Sequence, residues 1–121
     1  MMQHLLALGY DVFKEITGSS EIDLIAYKDQ QFVRVQVKTC SLNKDGLATF
    51  EACKQHDSKS PFVGDEFDIM ALYVVERNEV LFVTMVKLLE YKRGMSIRFE
   101  ESKTKFCTSN FASDYRHFPT N

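Results

Sequence analysis

Two adjacent segments constrain this chain more than any others: EIDLIAY over residues 21–27 and FVRVQVKT over residues 32–39. Both alternate apolar with polar side chains and are rich in Val, Ile, Phe and Tyr, the pattern of half-buried strands. The link, Lys28-Asp29-Gln30-Gln31, is short and polar but lacks the Asn-Gly or Asp-Gly pair of a tight turn. With Asp29 and Gln30 at the tip, Lys28 pairs with Gln31, Asp23 falls opposite Gln36, and Glu21 faces Lys38. Side chains alternate between the faces of a strand. One face of the hairpin carries Ile22, Leu24, Ala26, Val33, Val35 and Val37, all apolar. The other carries Glu21, Asp23, Ile25, Tyr27, Phe32, Arg34, Gln36 and Lys38. A slip of one residue would set the three valines across from Asp23 and Glu21, so burial defends the register without help from the turn.

The polar face has chemical potential. Directly opposed residues have Cβ atoms about 4.5–5.5 Å apart. The Asp23 carboxylate and the Gln36 amide oxygen can then share one hard cation, and magnesium prefers oxygen ligands while keeping several waters. Lys38, on the same face, can orient a water or offset charge on a phosphate oxygen. A bound metal lowers the pKa of its water and polarises the P–O bond. The same alternation also describes an ordinary antiparallel pair with one solvated face, where a Glu21–Lys38 ion pair needs no metal.

These residues resemble the core motif of the PD-(D/E)xK nuclease superfamily. That motif is an acid opening one strand, a short spacer, then acid-x-Lys on the next strand. Here it stands as Asp23, a spacer, and Gln36-Val37-Lys38. The wording EIDLIAYKDQQFVRVQVKT is similar to a subgroup with Gln in place of the second acid, including Holliday-junction-resolvase-like proteins and some group I intron homing endonucleases. LLALGYDV resembles the end of that subgroup's first helix and its following strand, and DEFDIMALYVVERNEVLFVTM resembles its second pair of strands. The resemblance spans roughly residues 3–86.

The resemblance implies a restriction-endonuclease-like α/β fold, with a central mixed β-sheet flanked by helices. It implies a metal-dependent endonuclease acting on double-stranded or branched DNA, with magnesium, or alternatively manganese, as cofactor. Carried over by position, Asp23, Gln36 and Lys38 are the catalytic residues. Asp23 and Gln36 are metal ligands, with the Val37 main-chain carbonyl as a third. Two departures stand out. Gln36 removes one negative charge, which weakens metal affinity relative to a Glu. The family also usually carries a Glu on its first helix, and none stands among the residues before Gly9. Gln3 is the nearest polar residue there, and Glu21 or Glu15 could supply a carboxylate instead. A nuclease-fold module that binds DNA without cutting it, and a protein-interaction domain with no nucleic-acid role, remain as alternatives.

The rest of the chain sets bounds. A length of 121 residues predicts one domain, 1–121, around one core. No run approaches the ~20 apolar residues of a membrane span, and the start lacks the features of a signal peptide. These point to a cytoplasmic location. Cys40, Cys53 and Cys107 are odd in number, widely spaced and without a CxxC pattern, which suits ordinary thiols in a reducing compartment. The net charge of −2 counts mildly against a nucleic-acid partner. A local basic stripe could still form from Lys87, Lys92, Arg93, Arg98, Lys103, Lys105 and Arg116, unless these are scattered solvated charges. His4, His56 and His117 are too dispersed for a metal cluster, and no Gly-rich phosphate loop or Gly-x-Ser-x-Gly nucleophile is present. A domain this small that cuts both strands is expected to work as a symmetric homo-oligomer.

Along the chain, His4 to Leu8 reads as the last turns of a helix stopped by Gly9. Asp11 to Ile16 alternates loosely as a strand, and Gly18-Ser19-Ser20 forms a turn. LATFEA is a candidate strand, followed by a polar loop from Lys54 to Gly64 that offers Lys54, His56 and Lys59 near the site. Phe67 to Val75 and Val80 to Val86 are continuous enough in hydrophobicity for central strands. Val86 to Arg93 predicts a short helix, Ser96 to Phe99 a strand, and Ser113 a cap for a terminal helix through His117.

Overall fold

The computed structural model describes residues 2–18, 20–53, 61–99 and 110–119. Helix α1 (Met2–Ala7) precedes strands β1 (Asp11–Lys14), β2 (Leu24–Lys28), β3 (Gln31–Cys40) and β4 (Leu47–Glu51). Then come β5 (Ile69–Val74), β6 (Glu79–Thr84), helix α2 (Met85–Leu88), β7 (Gly94–Arg98) and β8 (Asn110–Phe111). Strands β1-β2-β3-β5-β6 form a five-stranded sheet, and β4-β7-β8 form a smaller three-stranded one.

The β2–β3 hairpin adopts the expected register, with Lys28 opposite Gln31 and Leu24 opposite Val35. Asp29 and Gln30 occupy the tip with φ of 53° and 65°. A two-residue hairpin loop needs this left-handed backbone to match strand twist, and it forms here without glycine. Helix α1 ends where Gly9 takes a φ of 89°. There Gly9 N–H donates to Leu6 O and Tyr10 N–H to Leu5 O, at 3.0 and 3.1 Å, the two bonds of a Schellman stop. Lys28 Nζ donates to Leu8 O at 2.8 Å and ties the hairpin to this helix end.

β3 also pairs with β5, in parallel, from Val35 opposite Ile69 to Cys40 opposite Val74. This makes the sheet mixed. A fork from one side chain reinforces the pairing: Arg34 Nε and Nη2 bind the two oxygens of Asp68 at 3.2 and 3.0 Å. The Arg34 N–H donates to Asp68 Oδ2 at 2.8 Å, and the Asp68 N–H returns to Arg34 O at 2.9 Å. β5 and β6 then form an antiparallel hairpin from Ile69 opposite Thr84 to Val74 opposite Glu79.

Burial falls into two clusters, one on each face of the large sheet, where length alone predicted one. On the first, Leu24, Ala26, Val35, Ile69, Ala71 and Phe82 pack with Leu5, Tyr10 and Phe118. On the second, Met70, Leu72, Val74, Leu81 and Val83 pack with Ala48, Phe50, Met95 and Ile97 of the smaller sheet. β5 and β6 are therefore covered on both sides, which explains their unbroken hydrophobicity. The covering layers are a short helix on one face and a sheet on the other. Among the described residues, helices contribute less than expected.

Several local expectations shift. α2 is one turn, capped by Thr84, whose Oγ1 accepts from Lys87 N at 3.3 Å. A 3-10 turn at Ala112–Asp114 replaces the terminal helix predicted from Ser113 to His117. Lys54, His56 and Lys59 lie outside the described residues, as do Lys103, Lys105 and Cys107.

Candidate active site

The site is created by a break in the hairpin. The β2–β3 ladder ends at Leu24 opposite Val35, yet the Asp23 N–H also donates to Val35 O, at 2.9 Å. Two consecutive residues of one strand thus address a single residue of its partner, which is the geometry of a β-bulge. The extra residue changes the parity of everything before it. Ile22, expected beside Leu24, instead packs against the cluster on the opposite face. Asp23 and Glu21 are re-aimed with it.

Asp23 does not lie flat across from Gln36. Its Oδ2 accepts the Val37 N–H at 2.6 Å, capping the stretch of β3 that β2 no longer covers. In a strand the N–H and C=O of one residue point to the same edge, so the Val37 carbonyl faces that uncovered edge too. Glu21 does not reach Lys38 as the register predicted. Its Oε2 accepts from Gln36 Nε2 at 2.7 Å, which turns the Gln36 Oε1 end away from Glu21.

Lys38 owes its environment to the parallel pairing. Gln36 lies beside Met70 and Lys38 beside Leu72, so the polar face of β3 runs directly into the core beneath the smaller sheet. Lys38 is half-buried there, and its Nζ donates to the main-chain oxygen of Glu51 at the end of β4, at 3.3 Å. Burial pulls its pKa below the ordinary lysine range, against the opposing influence of Glu51, Cys53, Glu21 and Cys40.

Gly18, Ser20, Glu21, Asp23, Gln36, Val37 and Lys38 line one cleft of about 150 Å³. The structure therefore brings together every residue picked out by the motif, and adds Glu21, Gly18 and Ser20. Glu15, the other candidate carboxylate, is absent from this lining. It accepts from Thr17 N at 2.8 Å, from Gly18 N at 2.6 Å and from the Thr17 hydroxyl. The Thr17 hydroxyl and then the Gly18 N–H hold its carboxyl below the usual range. Glu15 shapes the turn that leads into the site.

Among the described residues, no group of three or more His, Cys, Asp or Glu is arranged to hold a metal ion. The oxygens facing the cleft are a mixed set: carboxylate, amide and main-chain carbonyl. Cys40 and Cys53 are free thiols. Of the expected basic stripe, Lys87 pairs with Glu90 and Arg116 with Glu79. Among the described residues, no helix is long and apolar enough to cross a membrane.

The mixed sheet thus carries an acid, Asp23, beside a Gln-x-Lys strand. The chain belongs to the PD-(D/E)XK endonuclease family, whose model matches residues 1–118. Its fold is similar to that of a solved bacterial homing endonuclease, with a TM-score of 0.76 at 19% identity. That likeness covers 95% of this chain and 80% of the other. Comparison with curated proteins gives no match.

Proposed function

We propose that this chain is a metal-dependent endodeoxyribonuclease that hydrolyses DNA phosphodiester bonds. The observation that supports this most is the convergence of Asp23, Gln36, Val37 and Lys38 on one cleft. The donor chemistry fits a hard divalent cation. Asp23 keeps Oδ1 beyond its bond to Val37, Gln36 turns Oε1 away from Glu21, and the Val37 carbonyl faces the uncovered edge. These three residues would hold magnesium or manganese. With so few protein ligands, water would complete the shell, as magnesium prefers. When bound, the metal supplies Lewis-acid polarisation of the phosphate and a more acidic water.

The chain's own residues do the rest. Asp23 holds the Val37 N–H on the uncovered stretch of β3 and would present its second oxygen to the cation. Lys38 lies two residues past Gln36 on the same face and stabilises negative charge developing on the scissile phosphate. Its partial burial favours that role, because a cation in a low-dielectric setting acts more strongly on a nearby anion. The lowered pKa also eases proton exchange with the attacking water. A symmetric assembly of copies would bring one cleft to each DNA strand.

The test is cleavage of supercoiled plasmid and of branched DNA in magnesium. Wild type nicks or linearises the substrate, and Lys38→Ala does not. A second reading, a module that binds DNA without cutting it, draws on the absence of any acid from α1. DNA retention without cleavage in either magnesium or manganese would establish that reading instead.

A further inference from the structure

Gln36 differs from a carboxylate in one way that matters to a cation: its two ends are unlike. Oε1 can ligate, whereas Nε2 carries two donor hydrogens and cannot. The last torsion of a Gln side chain is broad and roughly two-fold, so an unrestrained amide presents the wrong end much of the time. Here the amide is restrained. Nε2 donates to Glu21 Oε2 at 2.7 Å. The flipped amide would set two acceptor oxygens against each other with no proton between them. Glu21 lines the same cleft as Asp23 and Gln36, so it also returns the negative charge that an amide at position 36 omits.

We propose that Glu21 is a positioning residue, which holds the Gln36 amide with Oε1 toward the cation and supplies the second negative charge of the cleft. This rests on reading the cleft as a metal-dependent nuclease site. Glu21 acts through Gln36 and is not itself a ligand. The pair works as a unit: a carboxylate at 36 would need no orienting, and an amide at 36 needs an acceptor beside it.

Calorimetric titration of the full chain with manganese alone, without DNA, tests the proposal. The proteins compared are wild type, Glu21→Gln, and the exchange Glu21→Gln with Gln36→Glu. In Glu21→Gln, the new amide can bond either end of Gln36, and manganese affinity falls about 10–100-fold, the usual effect of losing a group that orients a metal ligand. The exchange restores the charge count, and both oxygens of a Glu at 36 are equivalent, so most of the lost affinity returns. A merely structural Glu21 would lower the melting temperature and would gain nothing from the exchange. Unchanged affinity in Glu21→Gln, or an exchange no better than the single variant, overturns the proposal and leaves the nuclease reading standing. A wild type that binds no manganese overturns both.

Discussion

The bond to Val37 gives Asp23 one duty and the proposed function gives it a second, and substitution separates them. Its carboxylate caps the Val37 N–H at 2.6 Å, and it would ligate the cation. Hydrogen bonds to charged groups contribute about 1.5–3 kcal/mol. Asp23 is half-buried, so water replaces part of the bond, and Asp23→Ala should cost about 1–1.5 kcal/mol. Unfolding entropy near 2.1 cal/mol/K per residue converts this, for 121 residues, to a melting point about 4–6 °C lower. Asp23→Asn keeps an oxygen acceptor at the same reach and should lose about half as much, on the order of 2–3 °C. Both variants should lose manganese binding and DNA cleavage. Thermal unfolding by circular dichroism in metal-free buffer reads the first duty, and manganese titration reads the second. If Asp23→Ala melts at or above the wild-type temperature, the carboxylate is a strained or repelled charge rather than a cap, and the bulge geometry is wrong.

Three further outcomes are expected. Leu72, fully buried beside Lys38 in the face beneath the smaller sheet, should cost about 2–5 kcal/mol on truncation to Ala; a loss under about 1 kcal/mol in urea unfolding would mean that face is not packed as described. The hydrogen bond from Arg34 holds the Asp68 carboxyl below its usual range. A depressed folded-state pKa gives stability that is present above the unfolded value near 3.9 and is lost as pH falls through the folded one. Asp68→Asn should therefore flatten the acid limb of the stability profile below about pH 4, and an unchanged limb would remove the pair from that account. Gln30 takes a φ of 65° at the hairpin tip, so Gln30→Gly should raise stability by about 0.5–1 kcal/mol; a lower melting temperature would contradict a left-handed tip.

The hairpin was legible because its information is local. Alternation put Leu24, Ala26 and Val35 inside, and the side-chain period of two leaves no tolerance for a slip. The bulge at Asp23 was not legible. It depends on where β2 stops pairing with β3, and no residue type announces it. Its effects were accordingly misplaced: Ile22 moves to the other face, and Glu21 reaches Gln36 rather than Lys38. The half-burial of Lys38 was hidden for another reason. It arises from the parallel neighbour β5 and from the end of β4, partners brought in from far along the chain. The smaller sheet escaped notice likewise, since β4 pairs with β7 across a long separation and neither strand is strongly patterned alone. That Asp23, Gln36 and Lys38 share one cleft could be read from residue types and spacing. The orientation of the amide could not, because it is set by a carboxylate delivered by the bulge.

A crystal structure of the wild-type protein with manganese, read by anomalous scattering, tests the proposed metal site most directly. The expected result is one strong peak in the cleft, within direct ligand distance of an Asp23 carboxylate oxygen, Gln36 Oε1 and the Val37 carbonyl. A well-occupied ion elsewhere, or a cleft that stays empty at saturating manganese with Asp23 and Gln36 ordered around it, would contradict it.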